Sequence, residues 1–302
     1  MQPYRQIYLV NVGVNHTHKL RSPIFPDKRF EFIPIQEEYH LNECVQTAAQ
    51  PITYDQLYCY NTPRKLLSLF PEELQSQYKH HIVHYDPNLN NINDSSLAAF
   101  TYGDIPYCNA RAASLRHAQP GDLLFFLANL ASFDDHKGQF NPGQRSFYLI
   151  GFIEIELVLE YSYQADRGLL RNPYSQEQES YDLLQFTRNA HVNRLLTLLH
   201  KYEKQRFTVF EGSNRSQRFQ YAVQITKQIC DICLRDKNGQ PFDYSKFRSP
   251  DACIGAYTRS VRPHFTLNHQ TDKTRFYIFL KYIAQLNSIP FPLDSLLASS
   301  YD

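Results

Sequence analysis

The chain is expected to fold as an α+β protein, a mixed sheet flanked by helices. Three observations carry that expectation. Apolar runs of strand length lie at residues 7–14, 123–127 and 147–159. Stretches with helical spacing lie at residues 63–78, 180–203 and 272–287. The 302 residues, 42% hydrophobic and 20% charged, suffice for a full core, and no internal repeat or low-complexity linker divides them. A single unit spanning residues 1–302 is the simplest organisation.

Each element has a local reason. Residues 7–14 (Ile-Tyr-Leu-Val-Asn-Val-Gly-Val) are β-branched and apolar nearly throughout, the mark of a buried strand, and run into a polar loop at 15–21. That places Asn15, His16 and Arg21 at a strand exit. Residues 30–35 alternate and read as an edge strand, because Pro34 cannot donate to a ladder. In 63–78 the leucines and Phe70 recur at helical spacing, and Pro71 splits the segment into two short helices. Residues 86–96 form a polar loop. Residues 109–118 read as a helix, Gln119-Pro120-Gly121-Asp122 as a turn and 123–127 as a buried strand. After a polar loop at 132–144, residues 147–159 run as a long strand whose wet face carries Glu154, Glu156 and, just beyond, Glu160. The leucines of 180–203 form the stripe of an amphipathic helix. Residues 207–210 read as a strand, 219–225 fit either a strand or a helix start, and 272–287 read as a helix capped by Asp272.

The exclusions are as informative. No basic, apolar and small-residue series marks an export signal, and the apolar runs are too short or too charged to span a bilayer. The six cysteines show no disulfide spacing, so reduced thiols in a cytoplasm are expected. A Gly-x-Ser-x-Gly elbow, a P-loop and a Gly-x-Gly-x-x-Gly fingerprint are all missing, which lowers the standing of the familiar hydrolases and dehydrogenases.

The net charge of +1 hides an asymmetry. Residues 1–187 carry 14 basic against 21 acidic side chains, whereas residues 188–275 carry 16 against 7. A basic segment on an otherwise acidic chain suits a phosphate-bearing partner, although a solvated helical face would read the same way. The 22 tyrosines and 21 phenylalanines add flat faces suited to base stacking, and equally to β-rich packing.

Four polar clusters sit at element ends, where side chains face clefts: residues 15–23, His84-Tyr85-Asp86-Pro87 with Tyr102-Gly103-Asp104, residues 188–194, and Arg215-Ser216 with Arg259-Ser260-Val261-Arg262. The ordered strings NVGVNHTHKLRSPIF, HYDP, FTYGD, RAASLRHAQPGDLLFFLANL, YLIGFIEI, NAHVNR and VFEGSNRSQRFQYAVQI resemble the third nucleotide-modification-associated domain family over most of the chain. That resemblance implies a link to the synthesis or handling of modified bases in DNA. The helix, Pro-Gly-Asp turn and strand containing Ile-Gly-Phe-Ile are also similar to the core of PUA-like barrels of the EVE and ASCH types. A PUA-like β-barrel is therefore the alternative to an open mixed sheet, and it implies a pocket for a modified or flipped base.

On that basis a pocket lined by aromatics and amides is expected from Asn15, Arg21, Ser22, Tyr102, Asp104, Arg111, Asn189 and His191, with Tyr102 stacking on a base. Arg194, Arg215 and Arg259 are the candidates for phosphate. The partner expected is DNA more than RNA, or a free nucleotide, with no membrane. The alternative is an enzyme that modifies or removes a base or nucleotide group, with His84, Asp86, Asp104 or His191 as acid and base. Structural roles compete for each: a turn or helix cap for Asp104 and Asp122, a carboxylate partner for Arg111, a core hydrogen bond for each histidine. No cofactor or metal is expected. His80 and His84 are one helical turn apart but too few for a zinc site, and the flanks of Cys230 and Cys233 read as core.

Overall fold

A computed structural model describes residues 5–12, 20–37, 39, 44, 49–89, 98–162, 169–177, 179–198 and 206–290. Its centre is a long antiparallel pair, β6 (Leu123–Asp134) and β7 (Gln139–Tyr161). Along β6 the first six residues are all buried, as expected of a strand covered on both faces. β1 (Gln6–Val12) lies parallel to β6 from Ile7 opposite Leu123 to Val12 opposite Ala128, and β2 (Ser22–Ile24) continues the same parallel pairing at Leu130 to Ser132. β12 (Arg262–Thr266) is antiparallel to β1. On the other side of β7 lies β10 (Phe207–Gly212), and beyond it β5 (Thr101–Asp104), both pairings antiparallel.

The main path through the sheet is β12-β1-β6-β7-β10-β5, while β11 (Gln217–Gln224) also pairs with β7 and the short pair β8 (Leu169–Arg171) and β9 (Ser180–Asp182) hangs from its end. This is the mixed sheet of an α+β protein. β12 and β5, the two ends of that path, do not pair with each other, so no barrel closes among the described residues and the PUA-like alternative is set aside. A separate two-stranded piece joins β3 (Ile35–Gln36) to β4 (Val83–His84).

Five α-helices lie among the described residues: α1 (Glu72–Tyr78), α2 (Ala190–Thr197), α3 (Lys227–Cys233), α4 (Pro250–Tyr257) and α5 (Gln270–Ala284). Phe276 and Phe279 of α5 meet Phe125 of β6 edge-on at 6.3 and 5.5 Å, fixing the helix over the sheet. Cys230 and Cys233 are fully buried in this core, where burial pushes both thiols up to about 12. No helix among the described residues is long and apolar enough to cross a membrane.

Several local expectations change. Of residues 30–35, Phe30 makes an isolated bridge to Ile24 and Ile35 opens β3, with no continuous strand between them. Residues 109–118 shorten to a 3-10 turn at Ala113–His117. The 180–203 segment opens as β9 and a 3-10 turn at Leu183–Phe186. Among its described residues only Ala190–Thr197 are α-helix, because Asn189 accepts a hydrogen bond from His191 N and starts the helix afresh there. α5 begins at Gln270, and Asp272 accepts from Thr266 N of β12 instead of capping the helix. Glu154 is only 2% exposed, not on a wet face. It draws Arg5 at 2.6 Å, Arg215, and Ser213 Oγ at 2.9 Å.

Much of the charge asymmetry is spent inside the fold. Arg194 pairs with Glu37, Arg206 with Glu160, Arg215 with Glu154 and Arg218 with Glu31, each joining the basic late segment to the acidic early one.

Candidate functional site

Four segments meet beside β5. The β3–β4 pairing sets Ile35 opposite His84, so Glu37, just past β3, reaches His84 at the end of β4: Oε1 lies 2.7 Å from Nδ1. Reciprocal hydrogen bonds between Asn88 and Thr101 then lay the chain after β4 along β5. The buried Asp86 is thereby brought to Gly103, whose N–H donates to Oδ2 at 2.8 Å. From the opposite side the first turn of α2 delivers His191, with Nε2 3.9 Å from Asp86 Oδ2 and the ring edge-on to His84 at 5.2 Å. One turn further along α2, Arg194 donates to Glu37 Oε2 at 2.6 Å, and the same Nη2 stands 3.1 Å from His84 Nδ1.

One nitrogen or oxygen from each of His84, Asp86 and His191 falls within 4.8 Å of the others. Asp86 Oδ1, His191 Nδ1 and Asn189 Nδ2 are buried and find no hydrogen-bond partner among the described residues. Buried polar atoms are nearly always paired, so three orphans in one place mark unspent binding capacity. Burial pushes the Asp86 carboxyl well above the ordinary carboxylate range, with the charges of Asp104 and Glu37 adding to it. Burial, His84 and Arg194 together hold the His191 imidazole well below its usual value, so it is neutral. Burial also raises Glu37, but the hydrogen bond from His84 and the guanidinium of Arg194 outweigh it and leave that carboxyl low. An ionised Glu37 can only accept, so His84 Nδ1 is the donor in that 2.7 Å contact.

Of the residues singled out from sequence, Tyr102, Asp104, Asn189, His191 and Arg194 come together here with His84 and Asp86. Tyr102 lies in the core between Phe126 at 5.3 Å and Phe210 at 6.2 Å, and its hydroxyl donates to Asp104 Oδ2 at 2.6 Å. Burial raises Asp104 despite that bond. The amide oxygen of Asn189 is the α2 cap. The others lie elsewhere or on other partners. Ser22 is buried and accepts from Ile33 N at 2.9 Å. Arg215 is held by Glu154. Arg21, Arg111 and Arg259 are exposed. Asn15, with His16 and His18, lies outside the described residues. His80 is exposed beyond the end of α1, while His84 is in a strand, so that pair shares no helix face. Glu37 escaped sequence reasoning, since the partner that gives it meaning is 157 residues away.

Two hollows are lined by residues outside this cluster. One, lined by Tyr58, Tyr60, Tyr85, Pro87, Leu89 and Arg218, uses the residues on either side of Asp86. The second, of about 190 Å³, is bounded by Phe25, Arg29, Glu31, Asn61, Arg64 and Asp135.

An open mixed sheet that gathers two imidazoles and a buried carboxylate at its β5 edge defines an α+β protein with a preformed polar centre. The chain belongs to the family described as nucleotide modification associated domain 3, which matches residues 6–231 and so takes in every member of the cluster. No curated protein and no solved structure matches it. The family links the chain to nucleotide or DNA modification.

Proposed function

We propose that the protein is an enzyme acting on a base or nucleotide group, with its reaction centre at His84, Asp86 and His191. The observation that carries this reading is the convergence of those three side chains within 4.8 Å, with Asp86 Oδ1 and His191 Nδ1 buried and unpartnered. A group kept only for packing has no reason to leave hydrogen-bonding capacity unspent at that cost. Three arginines, Arg21, Arg145 and Arg248, are exposed, the charges of Arg21 and Arg248 both act on Arg145, and none has a carboxylate partner among the described residues. Such a group suits the phosphates of a polynucleotide, DNA before RNA, or of a free nucleotide.

Turnover of nucleotides and of DNA with ordinary or modified bases tests the reading. Wild type should convert at least one substrate, and His191→Gln should lose that conversion while unfolding at a similar temperature. Binding without conversion of any substrate would favour the second reading, a module that only recognises its base, for which the hollow of about 190 Å³ beside Phe25, Arg29, Asn61 and Arg64 is the supporting observation.

A further inference from the structure

We propose that His84, Asp86 and His191 together hold a divalent transition-metal ion. The inference rests on the reading above only for the place of the site, and it names the cofactor that reading lacks.

The geometry comes first. Ligand atoms bonded to one ion at about 2.0–2.2 Å stand roughly 3 to 4 Å from one another. Asp86 Oδ2 and His191 Nε2, at 3.9 Å, are too far apart for a hydrogen bond but within that span. The widest separation in the group is no more than 4.8 Å, so an ion would draw the three inward by roughly half an ångström. The supporting contacts follow. Glu37 holds His84 through Nδ1, so Nε2 is the nitrogen that would meet the ion, in the carboxylate–imidazole arrangement that orients metal-bound histidines. The Gly103 N–H fixes Asp86 through Oδ2, and Oδ1 is spare. Arg194, the nearest cation, is neutralised by Glu37.

The donor set selects the ion. Two imidazoles and one carboxylate are too nitrogen-rich for calcium or magnesium and lack the thiolates of a structural zinc site. Three protein ligands leave positions for substrate, as in iron, manganese or catalytic zinc centres. The ion would supply Lewis acidity where β4, β5 and α2 meet.

The test uses the full chain, stripped with a chelator, dialysed against zinc(II), manganese(II) or anaerobic iron(II), and assayed for bound metal. One ion per chain is expected for at least one metal, with a higher melting temperature. His84→Ala and Asp86→Asn should each weaken binding about tenfold or more, whereas His117→Ala, on an exposed histidine, should not. Should a variant fail to fold, cobalt(II) added to wild type provides a second measurement: d–d bands typical of nitrogen and oxygen ligands support the site, and the spectrum of hydrated cobalt overturns it. No stoichiometric metal, or binding unchanged by both variants, also overturns it. Stoichiometric metal without turnover leaves the ion site standing and removes the enzyme reading. Turnover by protein that takes up no stoichiometric metal does the reverse.

Discussion

Gly103 and His191 share a space that admits no further carbon: a Cβ on residue 103 would stand 2.6 Å from Cδ2 of the imidazole and 2.7 Å from Oδ1 of Asn189. β5 and the start of α2 can approach this closely only because the strand carries a glycine there. Gly103→Ala therefore has to push back both the ring and the helix cap. The expected cost is about 1 to 3 kcal/mol, typical of an overpacked interior, and urea unfolding measures it. Turnover should fall by more than stability predicts, since His191 is the group displaced. An alanine variant with wild-type stability and activity would show that β5 and α2 do not depend on this fit.

Glu154 is the buried anchor of another part of the fold. Its carboxylate takes Arg5 from the start of the chain, Arg215 from the loop after β10, and Ser213 Oγ. Both guanidiniums are partly exposed, so solvent shares the charge. Glu154→Ala should cost about 2 kcal/mol, less than loss of a fully desolvated pair. Arg215→Ala should cost less still, because Arg5 remains. Chemical denaturation of the two variants ranks them, and the reverse order would refute the assignment.

Stability should also depend on pH through Glu211. Burial and the nearby Glu156 push its carboxyl up to about 7 from an ordinary 4.5. Below 4.5 both folded and unfolded chains hold the proton. Between 4.5 and 7 the unfolded chain releases it while the folded chain keeps it, so stability falls as pH rises through this window. Discounted for partial exposure, the effect is about 1 to 2 kcal/mol. Glu211→Gln should match wild type at pH 4.5 and exceed it by that amount at pH 8. Equal stability of the two proteins at pH 8 would exclude the effect.

Legibility in the sequence followed the range of the interactions. The runs at 123–127 and 147–159 became the central strand pair because apolar composition is local and sufficient. β7 extends back to Gln139 because residues 139–146 keep their backbone pairing to β6 after the apolar signal has faded. Residues 219–225, which fit strand or helix from sequence, became part of β11 through pairing with β7. The 180–203 leucines misled because Leu183 packs from a 3-10 turn, which a helical period cannot distinguish from a longer helix. His84, Asp86 and His191 were visible as polar residues at element ends. Their meeting was not, since it depends on how β3, β4, β5 and α2 pack. The basic late segment shows the same limit: its sign was plain, but its partners Glu31, Glu37, Glu154 and Glu160 are strand and loop residues far away in sequence.

What remains of the positive surface gives the last prediction. Burial, then the charges of Arg21 and Arg248, depress Arg145, so the exposed Arg145 guanidinium is repelled by the other two. A polyanion laid across them would relieve that repulsion and release counterions. Each lost phosphate contact lowers the slope of log affinity against log salt by about 0.9 for duplex DNA and about 0.7 for single strands. The double variant Arg145→Ala and Arg248→Ala should therefore lower the slope for duplex DNA by about 1.8, with affinity falling by a similar factor across sequences, because phosphates carry no base identity. Arg215→Ala, which removes a guanidinium already engaged by Glu154, should leave the slope unchanged. Fluorescence anisotropy across a salt series distinguishes these outcomes. A slope altered by Arg215→Ala but not by the double variant would move the nucleic-acid surface to the other side of the sheet's charge network.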